Sequence, residues 1–484
     1  MKTIKYFFKY SIIALLAGVI FSSCESWLDV KPDNETAASV LFSTERGFQE
    51  ALSGIYTLMT EPELYGRELT FGMAGVLAQQ YDWLHELSPY YYIQRNFDFA
   101  ADQTRLLSDG VWNKQFNAIA NVNDLLAFID ERKNVFASDE SYAIIKGEAL
   151  ALRAYLHFDI LRLFAPHKDA PEGAKKWVPY VEEFSKNTTG SMTFDEVTGK
   201  IMADLSDAAV LLENDPIYSG KTLTDLYFKN RQYHMNYYAV KGLTARVCIY
   251  AGLKEKALEC AKEVIEAQQG KGLFPFVNGE EVTNPETDRR DRTFSCEHLF
   301  TLNIRDLQSS ISGYLSQAQS GMALNNRELP DNLYEGYPDY RREFFEVKKV
   351  INPWGWATEQ AISTKLWQVD PTNTYKYKMP MIRISEMYYI AAECGTDATT
   401  ATGYLNTVRR ARNIHTDLLE LAPEQLRDEL LKEYRKEFVC EGQLFYYYKR
   451  IGAYDAGWGS MPFKYVLYMP DNEISFAGRP RPGE

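Results

Sequence analysis

Apolar positions recur along most of this chain at steps of three and four, the spacing that places side chains on one face of an α-helix. Ser43 or Thr44, with Glu45 in the first turn, opens a helix predicted to run through Met59. Trp112, Phe116, Ile119, Val122, Leu126 and Ile129 share a second face, and Ala149, Leu152, Leu156, Ile160 and Leu163 share a third that ends before Pro166. Thr193 with Glu196 forms a capping-box pair ahead of Val197, Ile201, Leu205, Ala208 and Leu212. A further helix uses Val240, Leu243, Val247 and Tyr250, stops at Gly252 and restarts with Ala257, Ala261 and Ile265. This helix, tight turn, helix unit is of tetratricopeptide type, so the expected fold is mostly α, a stack of helix pairs.

Two stretches break the pattern. Residues 60–110 are irregular and polar-aromatic, and from Gly270 to Pro380 prolines alternate with clusters such as Trp354 and Trp356. The second is too aromatic for disorder and is expected to hold short strands and helices in a long functional loop region. Helices are expected to resume at Met381–Cys394, Ala401–Arg412 and Pro423–Arg450. The division that follows is 24–270 as an N-terminal helical part, 271–380 as a loop-rich region and 381–484 as C-terminal helices.

The first residues follow another pattern. Lys2, Lys5 and Lys9 precede an apolar run from Ile12 to Phe21, then Ser22, Ser23 and Cys24. A membrane-spanning helix needs about 20 apolar residues, whereas a signal-peptide core needs roughly 7–15. Residues 1–23 therefore read as a bacterial lipoprotein signal, with Cys24 lipidated and the remainder tethered; an ordinary secretory signal with a chance cysteine is the alternative.

With 484 residues the chain exceeds the ~250–300 at which a single core stops growing. A net charge of −13, more negative once the leader lysines are removed, argues against nucleic acid as a partner. The cysteines after Cys24 form no CxxC or Cys/His cluster, and Cys248, Cys394 and Cys440 fall in apolar helical stretches as expected for buried thiols. No HExxH, GxSxG or P-loop occurs, so neither a cofactor nor a zinc site is expected, and no spacing locates a site for a structural calcium ion, which stays an open alternative. Glu437 and Glu441, four apart, could form a glycosidase-like carboxylate pair. The bland reading is a salt-bridged pair served by Arg435, Lys436 and Arg450, and no enzymatic activity is expected.

Several motifs in order resemble the SusD/RagB family of Bacteroidetes surface lipoproteins over nearly the whole length. They are Cys24–Pro32 (CESWLDVKP), Trp112–Asn123 (WNKQFNAIANVN), Lys146–Tyr155 (KGEALALRAY), Met381–Glu393 (MIRISEMYYIAAE), Tyr404–Arg412 (YLNTVRRAR) and Glu433–Gly442 (EYRKEFVCEG). The chain departs from the family at Phe445–Lys449 (FYYYK), where an acid is expected, and at Leu467–Ile474 (LYMPDNEI), where a Pro-Ile-Pro-rich turn is usual. The resemblance implies an outer-membrane, lipid-anchored, surface-exposed protein that binds oligosaccharides and delivers them to a SusC-like TonB-dependent transporter. A peptide- or glycopeptide-binding member and a non-binding envelope scaffold remain alternatives.

Sugar faces need flat rings and edge hydrogen bonds, and 14% of the chain is aromatic. The resemblance places ligand contacts in the two irregular stretches. The candidates are Asp82, Trp83, Tyr90 and Tyr91 from the first, and Asn303, Arg305 and Tyr314 from the second. Trp354 and Trp356 form a further possible stacking platform, whereas Tyr446, Tyr447 and Tyr448 are expected to pack internally or against the transporter.

Overall fold

The computed structural model describes residues 38–82, 91, 95–315, 322–324, 330–351, 355, 357–368, 372–456 and 462–482. The leader with Cys24, and Trp83, Tyr90, Trp354 and Trp356, lie outside the described residues.

The first long helix, α1 (Glu45–Met59), begins where the sequence places it, because the Thr44 hydroxyl accepts a hydrogen bond from Gly47 N at 3.1 Å. Then come α2 (Asp102–Ile129), α3 (Asp139–Phe164), α4 (Phe194–Leu211), α5 (Tyr237–Tyr250) and α6 (Lys254–Lys271). The predicted capping box is present: Glu196 N donates to Thr193 Oγ1 at 3.2 Å, and Thr193 N donates to Glu196 Oε2 at 2.8 Å. Helix α3 packs between α2 and α4. The contact is close at Gly147, where a Cβ would stand 2.8 Å from Leu212 Cγ. α3 is buried almost all round, unlike a surface helix, and the charged residues it carries inward are paired: Glu148 with Arg231, Arg153 with Asp204 and Asp159 with Arg162.

One short strand precedes α2 and the others follow α6. β1 (Tyr81–Asp82), β3 (Ala323–Leu324), β4 (Phe345–Ile351) and β5 (Ala357–Ser363) make a sheet in the order β1-β3-β5-β4, while β2 (His298–Asn303) pairs antiparallel with β6 (Lys378–Arg383). Helices return as α7 (Ile384–Cys394), α8 (Ala398–Ala411), α9 (Pro423–Glu437), α10 (Gln443–Ile451) and α11 (Asp471–Ala477).

Two expected helices are corrected. Met381–Arg383 belong to β6, because Ile382 pairs with Phe300 of β2, and the helix starts only at Ile384. The expected Pro423–Arg450 helix is two helices. It breaks between Glu437 and Gln443, with Cys440 at φ 63° and Gly442 at φ 75°, so Cys440 is a buried loop thiol and not a helical one. Only glycine is tolerated at position 442, since a Cβ there would lie 2.1 Å from Leu69 O. The break thus presses the family motif against the turn that carries Arg67 and Glu68.

Glu437 is fully buried and accepts from Arg341 at 2.9 Å, from Arg412 at 2.6 Å and from Arg383. Glu441 accepts from Arg383 Nε at 3.0 Å and forms an ion pair with Lys365 at 2.5 Å. The expected partners Lys436, Arg450 and Arg435 are engaged elsewhere: Lys436 pairs with Glu433 and Glu335, Arg450 with Glu393, and Arg435 donates to Ala456 O. Burial would push the Glu437 carboxyl up, but the Arg412, Arg383 and Arg341 charges outweigh it and hold it well below the carboxylate range. A carboxylate locked by three guanidiniums is a poor general acid or nucleophile.

Candidate functional site

The two irregular stretches meet. The turn 61–72 after α1 is stitched by backbone hydrogen bonds, such as Leu69 N to Leu64 O at 2.9 Å, and leads into a five-residue helix, Met73–Leu77, that is buried throughout. Gln79 follows at φ 58° and donates through Nε2 to Arg95 O at 2.8 Å, a link within the early irregular stretch. Tyr81 then enters β1, fully buried, with its hydroxyl 3.5 Å from Cys440 Sγ. Asp82 is the partner of Ala323 in β3, so the predicted segment is wired into the sheet built by the later insertion.

At this junction lies a compact polar-aromatic group. Arg67 Nη1 donates to Tyr314 Oη at 3.1 Å, and its guanidinium carbon stands 5.3 Å from the centre of the Tyr314 ring. Arg67 Nε donates to Glu68 at 2.6 Å, and Tyr91 Oη donates to the two Glu68 oxygens at 2.9 and 3.0 Å. The Tyr91 and Tyr314 rings meet edge to face at 5.9 Å, with Phe71 6.3 Å from Tyr314. Burial pushes the Glu68 carboxyl up, opposed by the Arg67 charge. Burial and the neighbouring Glu68 raise the Tyr91 hydroxyl well above its ordinary value, so it stays a donor.

The seven candidate contacts are therefore placed unevenly. Tyr91 and Tyr314 are brought together. Tyr91, however, is only 3% exposed and its hydroxyl is already engaged, so it forms a wall behind the site and not an open stacking face. Tyr314 is half-buried and reaches the surface. Asn303 ends β2 opposite Lys378, and it and Arg305 are both exposed. Asp82 is fixed in β1 by its backbone, while Trp83 and Tyr90 fall outside the described residues. Sequence reasoning missed Arg67 and Glu68. The available signal was a charged pair set between Leu64-Tyr65 and the apolar run from Leu69 to Leu77.

At the other edge of the same sheet opens a cleft of about 740 Å³, within the range of small-ligand sites. Its walls include Tyr340, Phe345, Val347, Asn332, Asn413 and Glu359. Three of its acids are matched by cations: Asp331 pairs with Arg342, Glu343 with Arg290, and Asp339 with Arg341. Among the described residues no group of His, Cys, Asp and Glu is arranged to hold a metal, and no helix is long and apolar enough to cross a membrane.

Comparison with known proteins agrees with this architecture. Residues 26–247 match a family model described as starch-binding, associating with the outer membrane, and residues 344–473 match the SusD family model. SusD-like protein P25 of Formosa agariphila is 23% identical over 491 aligned residues, covering 90% of this chain and 88% of that protein. A SusD superfamily protein from Bacteroides vulgatus superposes with a TM-score of 0.71 at 22% identity, covering 91% of this chain and 99% of its own. Surface glycan-binding protein A of Bacteroides thetaiotaomicron, solved in complex with laminarihexaose, gives 0.64 at 17% identity, covering 90% and 99%. With two models of one family matched at either end and the same fold between them, the chain belongs to the SusD/RagB family.

Proposed function

We propose that this protein is a non-enzymatic, outer-membrane lipoprotein, anchored through Cys24, that captures oligosaccharides at the cell surface and passes them to a SusC-like TonB-dependent transporter. The observation that carries the reading is the junction of the two insertions, where Arg67 binds Tyr314 across 247 residues of chain. A ring half-open to solvent, backed by Tyr91 and flanked by a guanidinium, offers an apolar face for a pyranose and donors for its hydroxyls. The exposed Asn303 and Arg305 supply further edge contacts, and Asp82, Trp83 and Tyr90 are the remaining residues proposed to bind the ligand. A binding role is supported by the family membership and by the complex of surface glycan-binding protein A with laminarihexaose. The locked state of Glu437 supports the absence of a catalytic carboxylate pair.

Titration calorimetry against a panel of neutral oligosaccharides, including laminarihexaose, and of peptides tests the reading. Saturable heat with at least one glycan and no shortening of that glycan are expected. Tight peptide binding with none to glycans would overturn it in favour of peptide capture, and release of shorter sugars would overturn the non-enzymatic role.

A further inference from the structure

The cleft of about 740 Å³ beside β4 takes no part in the surface proposed above, yet its walls are selective. Three of its acids are paired with arginines, and the fourth, Glu359, stands opposite Lys349 in the β4–β5 ladder. A ligand with a net charge would find no uncommitted counter-charge there.

Hydrogen-bonding capacity, in contrast, is left over in both senses. The exposed side chain of Asn332, on the short helix Pro330–Leu333, makes no hydrogen bond among the described residues and offers both donors and an acceptor. Arg342 gives Nη2 to Asp331 and keeps its other side-chain N–H groups free. The strand edge adds to this. Thr364 N donates to Phe344 O at 2.8 Å, which sets the phase of the antiparallel ladder: Glu346 faces β5, whereas Phe345 and Val347 turn their N–H and C=O groups outward. β4 is the last strand of its sheet, and among the described residues no backbone group bonds to that edge.

Apolar surface lies between these groups. Tyr340 and Phe345 are half-buried on the walls, and Val347 is 51% exposed. Tyr340 is fixed before any ligand arrives. Its N donates to Arg412 O at 3.1 Å, and its hydroxyl lies against Gly279, where a Cβ would stand 2.1 Å from it.

A ligand for these walls is uncharged, donates and accepts at closely spaced points, and has an apolar face. A polyhydroxylated ring meets all three conditions, since each hydroxyl both donates and accepts and the C–H face can cover an aromatic ring. An extended peptide suits the strand edge less well. Only Phe345 and Val347 of the outward-facing residues border the cleft, and the next, Lys349, carries a charge of the kind that blocks strand pairing at an edge.

We infer that the cleft is a second oligosaccharide site, which seats a neutral sugar segment on Tyr340 and bonds its hydroxyls through Asn332, Arg342 and the free edge of β4. The inference rests on the reading of the protein as a glycan binder. The junction adjoins β1 and the cleft adjoins β4, so the two lie at opposite edges of a four-stranded sheet, about 14 Å apart by strand spacing. A polysaccharide that engages both is retained more firmly than by either alone.

The test is calorimetry of the whole protein with the same panel of neutral oligosaccharides, laminarihexaose included. Tyr314→Ala should keep saturable binding to at least one of them. Adding Tyr340→Ala should abolish what remains, and adding Asn332→Ala instead should weaken it about 5–10-fold without moving the melting temperature, because that side chain bonds nothing in the protein. The remaining affinity should not change between about 50 and 500 mM salt, as expected for an uncharged ligand. Crystals of the unmodified protein grown with the same sugar should show it against Tyr340. No binding left in Tyr314→Ala, residual binding indifferent to both cleft substitutions, or an empty cleft in those crystals would overturn the second site and leave glycan capture at the junction standing. No binding of any glycan by the unmodified protein would overturn both readings. Peptide binding that Asn332→Ala weakens, with no sugar in the cleft, would overturn the inference in favour of strand addition.

Discussion

Replacing Glu437 with Gln separates the structural reading of the Glu437–Glu441 pair from the catalytic one. In the native protein this carboxylate is fully buried and accepts from three arginines contributed by separate parts of the chain. The substitution keeps the shape and removes the charge, so Arg341, Arg383 and Arg412 face an amide whose NH₂ group repels them. Breaking a buried ion pair by removing one partner costs about 3–5 kcal/mol. Domains of 150–250 residues lose about 2–4 °C per kcal/mol, and the loss per kcal/mol is smaller in a longer chain, so a fall of about 5 °C is expected here. The assay is differential scanning fluorimetry with urea unfolding at pH 7, beside a test for sugar release. The sign with pH is fixed by the depressed folded-state pKa of Glu437. The stabilisation is fully present above the unfolded carboxylate value of about 4.3 and fades as pH falls through the folded value, so wild type and variant should converge only in acid. A variant that melts with the wild type at pH 7 while abolishing a hydrolytic activity would refute the argument.

Further outcomes follow from the same interactions. Tyr314→Ala should lower glycan affinity about 5–30-fold by calorimetry while leaving the melting temperature within a few degrees, because the ring is half-buried. Gly442→Ala should destabilise the protein and weaken glycan binding together, since its methyl group would collide with Leu69 O next to Glu68; normal binding and melting would remove the link between motif and site. Burial would raise the Glu148 carboxyl, but the Arg231 and His234 charges hold it at about 2. It should therefore contribute about 3 kcal/mol at neutral pH that is lost as pH falls from about 5 to 2, and Glu148→Gln should flatten the acid limb of the melting curve.

The local features were legible and the long-range ones were not. Thr44 and the Thr193–Glu196 pair mark helix starts because a cap is written within four residues of sequence. Met381–Arg383 read as helix because a strand buried on both sides is as apolar as a buried helix, and only its partner β2 distinguishes them. The break at Cys440 and Gly442 was hidden because the backbone packed against Gly442, at Leu69, is remote in sequence. The partners of Glu437 were misassigned for the same reason: the sequence offers nearby cations, while the fold delivers Arg341, Arg383 and Arg412. At the candidate site, aromatic richness led to Tyr91 and Tyr314, but not to Arg67 and Glu68, which join them.

The contact between Tyr81 and Cys440, separated by 359 residues, sets an order of events during biogenesis. The N-terminal helices can pair as soon as they leave the ribosome or a translocation channel, because their contacts are local. The sheet beginning at β1 must wait for β3 and β5, and the hydroxyl of Tyr81 meets its thiol only when most of the polypeptide has been delivered. Contacts of such wide separation form slowly. A nascent chain halted before α10 would carry much of its helical scaffold without a finished junction between the insertions, so ligand capture would be among the last properties the protein acquires.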